Sequence, residues 1–187
     1  MKNNEFIFDP VQTTPFKFRM KIKAHLWCLV NDTIFMFFPN QIRKPRIILL
    51  RLFGAQLSNS VNISRTAKIE HPWNLTMGHL SSLGDYSWIY CLDKIIIGDK
   101  CCIGRGVYLL TGSHDVNDLG FGLITKPIII QDGCWIATGS YILSGVTLGE
   151  YSVVAAKSLV NKSADPFSVI GGNPAQKIKK RIFNEII

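Results

Sequence analysis

Between Ile130 and Val160 an aliphatic residue recurs at every sixth position: Ile130, Ile136, Ile142, Leu148, Val154 and Val160. Four residues after each stands a small or β-branched side chain, in turn Cys134, Ser140, Val146, Ser152, Ser158 and Ala164. A six-residue period matches neither the helical repeat nor simple strand alternation. It fits a coil of short strands joined by tight corners. One branched aliphatic per strand points inward and a small residue sits at each bend. Three hexads close one triangular coil, and stacked coils bury a continuous aliphatic column. The unbroken count, with the small residues in phase, sets aside accidental spacing in an ordinary apolar domain.

Upstream the count continues with slips. Ile63, Ile69 and Leu75 stand in sixes; extra residues shift the phase to Leu83 and Ile89, and again to Ile97, Ile103 and Leu109. Cys101, Val107 and Ser113 keep the small-residue phase behind the last three. Gly84, Gly98, Gly104 and Gly149 directly follow their aliphatics, where a corner can use a residue without a Cβ. Leu109 and Ile130 are 21 residues apart, which is not a multiple of six. A segment therefore leaves the coil over 112–127. Loops held by a rigid scaffold are where function concentrates.

Composition narrows the class. The chain has 187 residues, 47% apolar and 18% charged, enough to bury one core and too few charges for disorder. Its net charge of +8 is concentrated in two places. Lys2, Lys17, Arg19, Lys21, Lys23, Arg43, Lys44, Arg46 and Arg51 crowd the first third, and Lys177, Lys179, Lys180 and Arg181 close the chain. Such patches suit anionic lipid or a phosphorylated ligand; no nucleic-acid motif accompanies them, so a nucleic-acid partner is not expected. The cysteines, at 28, 91, 101, 102 and 134, are odd in number and lack CxxC spacing. That argues against a disulfide framework or zinc site and for a cytoplasmic protein. Cys101 and Cys134 read as core filling. Residues 1–15 lack a signal-peptide pattern. The apolar run 26–38 contains Asn31 and Asp32 and is too short to span a bilayer.

The expected organisation is a helical or extended cap over 1–58, the coil over 59–170 with its excursion at 112–127, and a basic helix or tail over 171–187. Residues 16–53 read as one or two helices broken near Pro39 and Pro45, with too many apolar side chains for a fully exposed helix. Capping the open end of the coil accounts for them, since repeat arrays need such ends. A membrane-surface helix with Lys17, Arg19, Lys21 and Lys23 toward anionic lipid is the alternative, and the two roles are compatible.

The excursion opens with Thr111-Gly112-Ser113-His114-Asp115. A lone histidine is ordinarily a solvated loop residue. His114, however, stands where the coil ends and the loop begins, anchored on one side and free on the other. An imidazole there suits removal of a proton from an alcohol or amine near neutral pH.

With the hexads, these motifs resemble the hexapeptide-repeat, left-handed parallel β-helix acetyltransferases of sugar and exopolysaccharide pathways. The resemblance is carried by Thr111–Asp115, Leu123-Ile124-Thr125-Lys126-Pro127-Ile128, Asp132-Gly133-Cys134-Trp135-Ile136-Ala137, Gly172-Asn173-Pro174-Ala175, Arg51–Ala55 and Pro72–Leu75. It is greatest to the colanic acid biosynthesis type, with galactoside and maltose acetyltransferases more distant. The handedness of the coil comes from the resemblance alone. It implies direct transfer from acetyl-CoA to a sugar hydroxyl, with His114 as general base and no metal. It also implies a homotrimer with active sites between subunits, and a small-molecule or lipid-linked saccharide acceptor, which would place the enzyme in the cytoplasm or at the inner membrane face. Trp135 matches an active-site wall. Ala137, Thr138 and Ala156 match a groove for pantetheine, and Lys162 and Lys179 match positions that reach CoA phosphates. Tyr90, Cys91, Asp93 and Arg105 are the implied acceptor contacts. Cys91 stands where many relatives have asparagine, and Arg105 replaces a usually neutral residue and would answer an acidic sugar.

Other readings stay open at this point. The acceptor could be an amino sugar or another small molecule acetylated on nitrogen. A γ-type carbonic anhydrase needs three histidines on one zinc-like ion, the second and third five residues apart; Leu119 stands five after His114, and His25, His71 and His79 offer no such pair. A cysteine nucleophile would need an activated thiolate, and an inactive coil could serve as a scaffold.

Overall fold

The computed structural model describes residues 18–183. It is a parallel β-helix with three sheets as its faces. The first face holds Gln56–Leu57, Leu75–Met77, Ile95–Ile97, Ile128–Ile130 and Thr147–Leu148. Asn62–Ile63, Ser82–Leu83, Cys102–Ile103, Trp135–Ile136, Val153–Val154 and Ser168–Gly172 form the second face, and Lys68–Ile69, Trp88–Tyr90, Tyr108–Leu110, Tyr141–Ile142 and Leu159–Val160 the third. Both sequence columns are in the core. Ile130, Ile136, Ile142, Leu148, Val154 and Val160 are buried, as are Cys134, Ser140, Val146, Ser152 and Ser158 at the bends.

The bend residues do more than save space. Ser140 and Ser158 both donate to the Ala155 carbonyl, at 2.9 and 2.7 Å, and the Cys134 thiol donates to Gly149 at 3.1 Å. A corner carbonyl turned inward needs a donor, because an unpaired buried polar group costs about 1–3 kcal/mol. The glycines after the aliphatics are required by close stacking. A Cβ on Gly104 would lie 2.8 Å from the Ile136 carbonyl oxygen of the next coil.

Coil length varies. Leu57 pairs with Met77 and Met77 with Ile97, 20 residues each, then Ile97 with Ile130, 33 residues, and Ile130 with Leu148, 18 residues. Every slip falls on one edge, between the third and first faces. Two residues are added after Ile69 and after Ile89, and the excursion comes after Leu109. This is called the hairpin edge below, and the edge between the second and third faces the groove edge. Ser113, expected at a bend, is exposed on the excursion, and buried Thr111 takes the corner instead.

Two helices precede the coil, α1 (Phe18–Val30), continued by a π-helical turn Asn31–Phe35, and α2 (Lys44–Leu52). The break falls at Pro39, while Pro45 lies in the first turn of α2, where its missing N–H costs nothing. Trp27, Phe35, Ile47 and Leu50 are buried against the coil, and Trp27 donates its indole N–H to the Ile69 carbonyl. Arg46, counted by sequence among the surface charges, is fully buried. Its guanidinium donates to the carbonyls of Ile63, Phe38, Pro39 and Asn40, joining the inter-helix turn to the first coil. A buried charge is tolerated when its donors are matched in this way. Lys17 and the rest of 1–17 lie outside the described residues.

The basic segment at the other end is a strand, not the expected helix or tail. Ala175–Lys180 turns back antiparallel on Ser168–Gly172. Arg181 then donates to the carbonyls of Gly133 and Tyr151, at 3.1 and 3.0 Å, so part of that charge cluster fastens the terminus to the coil.

Candidate active site

The excursion is an antiparallel hairpin, Gly112–His114 paired with Leu123–Thr125 and His114 opposite Leu123. Its root is tied to the coil below. The Thr111 hydroxyl donates to the Tyr90 carbonyl at 2.8 Å and accepts the Asp93 N–H at 3.0 Å. Gly112 is required there: a Cβ would lie 2.8 Å from both Tyr90 Cε1 and Leu92 Cδ1. Tyr90, Asp93 and His114 are therefore gathered at the hairpin edge.

The His114 imidazole is exposed and stacks on the Phe121 ring, with centroids 4.2 Å apart and planes 8° from parallel. Its Nδ1 lies 2.8 Å from the Phe121 carbonyl oxygen. A carbonyl can only accept, so Nδ1 carries the hydrogen and, in the neutral ring, Nε2 keeps its lone pair. That is the tautomer in which Nε2 can take a proton.

Cys91 does not join this group. It is fully buried, donates its thiol to the His71 carbonyl at 3.2 Å and accepts the His71 N–H. Burial pushes the thiol up to about 12, which also removes it as a thiolate nucleophile. It fills a corner, as Cys101 and Cys134 do, and leaves the acceptor set. Arg105 lies on the groove edge, exposed and paired with Asp85 at 3.0 Å. The Ser64 hydroxyl and then Arg105 hold the Asp85 carboxyl below its usual range.

Ala137, Thr138 and Ala156 follow second-face strands and also line the groove edge. Beside them opens a cavity of about 430 Å³ bounded by Gly139, Tyr141, Lys157, Ser158, Leu159 and Asn173. Trp135 projects outward from the second face, and Lys179 lies on the closing strand, paired with Val169. Lys162 is at the far end of the hairpin edge, in a small cavity shared with Asp165 and Lys177. Within one chain, then, His114 and the groove residues occupy opposite edges of the third face.

A family profile described as bacterial transferase hexapeptide (six repeats) matches residues 127–162. The chain is 42% identical to the WcaF protein of Escherichia coli, named for colanic acid biosynthesis and acetyl transfer, over 164 residues that cover 88% of this chain and 90% of WcaF. The chain belongs to the hexapeptide-repeat acetyltransferases. A member from Vibrio cholerae O1 biovar eltor, solved with acetyl-CoA, superposes with a TM-score of 0.76 at 25% identity, over 98% of this chain and 100% of that one. A maltose O-acetyltransferase from Clostridium difficile superposes with a TM-score of 0.78 at 25% identity, over 88% and 89% of the two chains.

Two features of this acetyltransferase escaped sequence reasoning. Phe121 and Asp118 shape the hairpin tip around His114; the only signal was the turn-rich run Asp118-Leu119-Gly120-Phe121-Gly122. A second cavity, about 330 Å³, opens between α1 and the first coil, lined by His25, Cys28, Asn31, Asp32, Lys68 and Glu70 among others. It reaches the hairpin edge at Glu70 and His71, two coils below Thr111, or roughly 10 Å at ordinary strand spacing. Among the described residues no three His, Cys, Asp or Glu side chains converge as metal ligands.

Proposed function

We propose that this acetyltransferase carries the acetyl group of acetyl-CoA to a saccharide hydroxyl, with His114 as general base. The observation that carries the reading is the imidazole held by its Nδ1–H on the Phe121 carbonyl, leaving Nε2 as proton acceptor. Acetyl-CoA supplies the acetyl group as a thioester. The acceptor oxygen bonds to the acetyl carbonyl carbon as its proton passes to Nε2. The carbon–sulfur bond then breaks, and the proton leaves His114 for the departing thiolate.

The small side chains of Ala137, Thr138 and Ala156 suit a thin pantetheine arm, and Lys162 and Lys179 suit its phosphates. Saccharide chemistry is supported by the names of WcaF and the maltose enzyme. It is also supported by the carboxylates and carboxamide of the cavity below α1, which can accept hydrogen bonds from sugar hydroxyls. Tyr90 and Asp93 stand between that cavity and His114. A screen of sugars, nucleotide sugars and lipid-linked saccharides, read by free-thiol release, tests this. A base-labile ester product is expected; an amide formed only with amino sugars would favour the nitrogen-acetylating reading.

The separation of His114 from the groove supports a homotrimer. If the third face turns toward the threefold axis, the hairpin edge of each copy meets the groove edge of the next. That face carries the aromatic column Trp88, Tyr108 and Tyr141, with the two tyrosines stacked at 4.5 Å, a surface suited to being covered.

We also place the enzyme in the cytoplasm, peripheral at the inner membrane face. Among the described residues no helix is long and apolar enough to cross a membrane. On α1, Phe18, Ile22, Leu26 and Leu29 are exposed along the face opposite buried Trp27. Arg19 and Lys21 flank this stripe, while Lys23 lies over the Trp73 ring at 4.4 Å. An apolar stripe with basic flanks suits an anionic lipid surface. Binding to acidic vesicles should weaken with added salt; equally poor binding to acidic and neutral vesicles at low salt would leave α1 as a cap alone.

A further inference from the structure

At the hairpin tip, consecutive N–H groups fold onto one residue. The Asp118 carboxylate accepts the Gly120 N–H at 3.0 Å through Oδ1 and the Gly122 N–H at 3.1 Å through Oδ2. The Asp118 carbonyl accepts the N–H of Phe121, between them, at 2.8 Å. Phe121 is thereby held at φ +48°, the left-handed region where glycine is the usual occupant. Glycine stands on both sides of Phe121 but not at the position whose backbone asks for it. Gly122 has its own reason to be glycine, since a Cβ there would lie 2.8 Å from Asp118 Oδ2.

Six other non-glycine residues among those described, Tyr86, Tyr151 and Phe167 included, share this region, so what sets Phe121 apart is its pair of contacts with His114. The left-handed turn aims the Phe121 carbonyl at His114 Nδ1, and the same residue's ring lies flat against the imidazole. Glycine at this position would keep the first contact and lose the second. An ordinary extended residue would keep neither.

We propose that Asp118 and Phe121 are positioning residues for His114. Asp118 sets the turn, and Phe121 fixes the imidazole's tautomer through its carbonyl and its plane through its ring. Nε2 is presented in one direction before any acceptor arrives. Neither residue takes part in proton transfer. The proposal rests on the reading of His114 as the base, and its test separates the two.

The full-length protein is labelled with ¹⁵N-histidine, and the tautomer of His114 is read by NMR without any acceptor. Steady-state kinetics follow on Asp118→Ala, Asp118→Asn, Phe121→Ala, Phe121→Gly and Phe121→Tyr. Asp118→Ala should mix the two tautomers and lower kcat roughly 10²-fold, as a displaced catalytic group does, with little change in the KM for acetyl-CoA. Asp118→Asn, which keeps one acceptor oxygen, should recover part of both signals. Phe121→Gly should keep the Nδ1–H tautomer yet lose kcat, and Phe121→Tyr, which keeps the ring, should restore it relative to Phe121→Ala. If Asp118→Ala fails to fold, the glycine and tyrosine pair decides. Wild-type kcat in Asp118→Ala and Phe121→Ala, beside an inactive His114→Asn, overturns the positioning proposal alone. So does a fall in kcat with the tautomer unchanged in Asp118→Ala, because the role would then be structural. Full activity in His114→Asn overturns the base reading beneath it.

Discussion

Replacing His114 with asparagine is expected to lower kcat roughly 10²–10⁴-fold, the usual contribution of a positioned general base. Asparagine can still donate a side-chain N–H toward the Phe121 carbonyl, so the hairpin has no reason to collapse. It offers no group that takes a proton near neutral pH. The loss should therefore fall on kcat, while calorimetric binding of CoA stays near wild type, because CoA binding is assigned to other residues: Ala137, Thr138 and Ala156 on the groove edge, Lys179 on the closing strand and Lys162 at the far end of the hairpin edge. Lys179→Ala is the complementary variant. A remote phosphate contact mostly serves binding, so its KM for acetyl-CoA should rise more than its kcat falls. Retention of most of kcat by His114→Asn would remove the base from the mechanism and leave the fold.

The repeating part of this molecule was legible because its physics is local and periodic. One inward aliphatic per short strand and one small residue per bend recur in the sequence as they recur in space, and Ile136 or Ser140 could be placed from position alone. The slips were visible as well, and their meaning is plain once the coils are stacked. The extra residues after Ile69 and Ile89 and the excursion after Leu109 all widen a single edge, and that edge carries His114. Less legible were contacts in which a side chain meets a carbonyl whose direction depends on the whole path of the chain. Arg46 looks like one more surface cation until the carbonyls of Phe38, Pro39, Asn40 and Ile63 surround it. Cys91 looks like a substituted acceptor contact until the corner closes over it. The basic terminal segment has no apolar alternation to announce a strand, since it takes its pairing from Ser168–Gly172. Phe121 gave no sign of its role, because a left-handed phenylalanine is recognised only in three dimensions.

If each active site joins the hairpin edge of one copy to the groove edge of another, as proposed, coexpression of two inactive variants should restore activity. His114→Asn lacks the base but keeps the groove. Thr138→Trp keeps the base and places an indole where the pantetheine arm should run. Each should be inactive as a homotrimer. In randomly mixed trimers, a working site arises wherever a copy with an intact hairpin lies beside a copy with an intact groove. Every trimer that contains both chains has one such junction among its three, so the mixed trimers should show roughly a third of wild-type activity. The mixed trimers are purified through different tags on the two variants, and their thiol release is compared with each parent. Recovery to about that level is the result predicted. Activity no greater than that of the parents, in trimers shown by mass to contain both chains, would contradict the shared site and require His114 to work on the groove of its own chain.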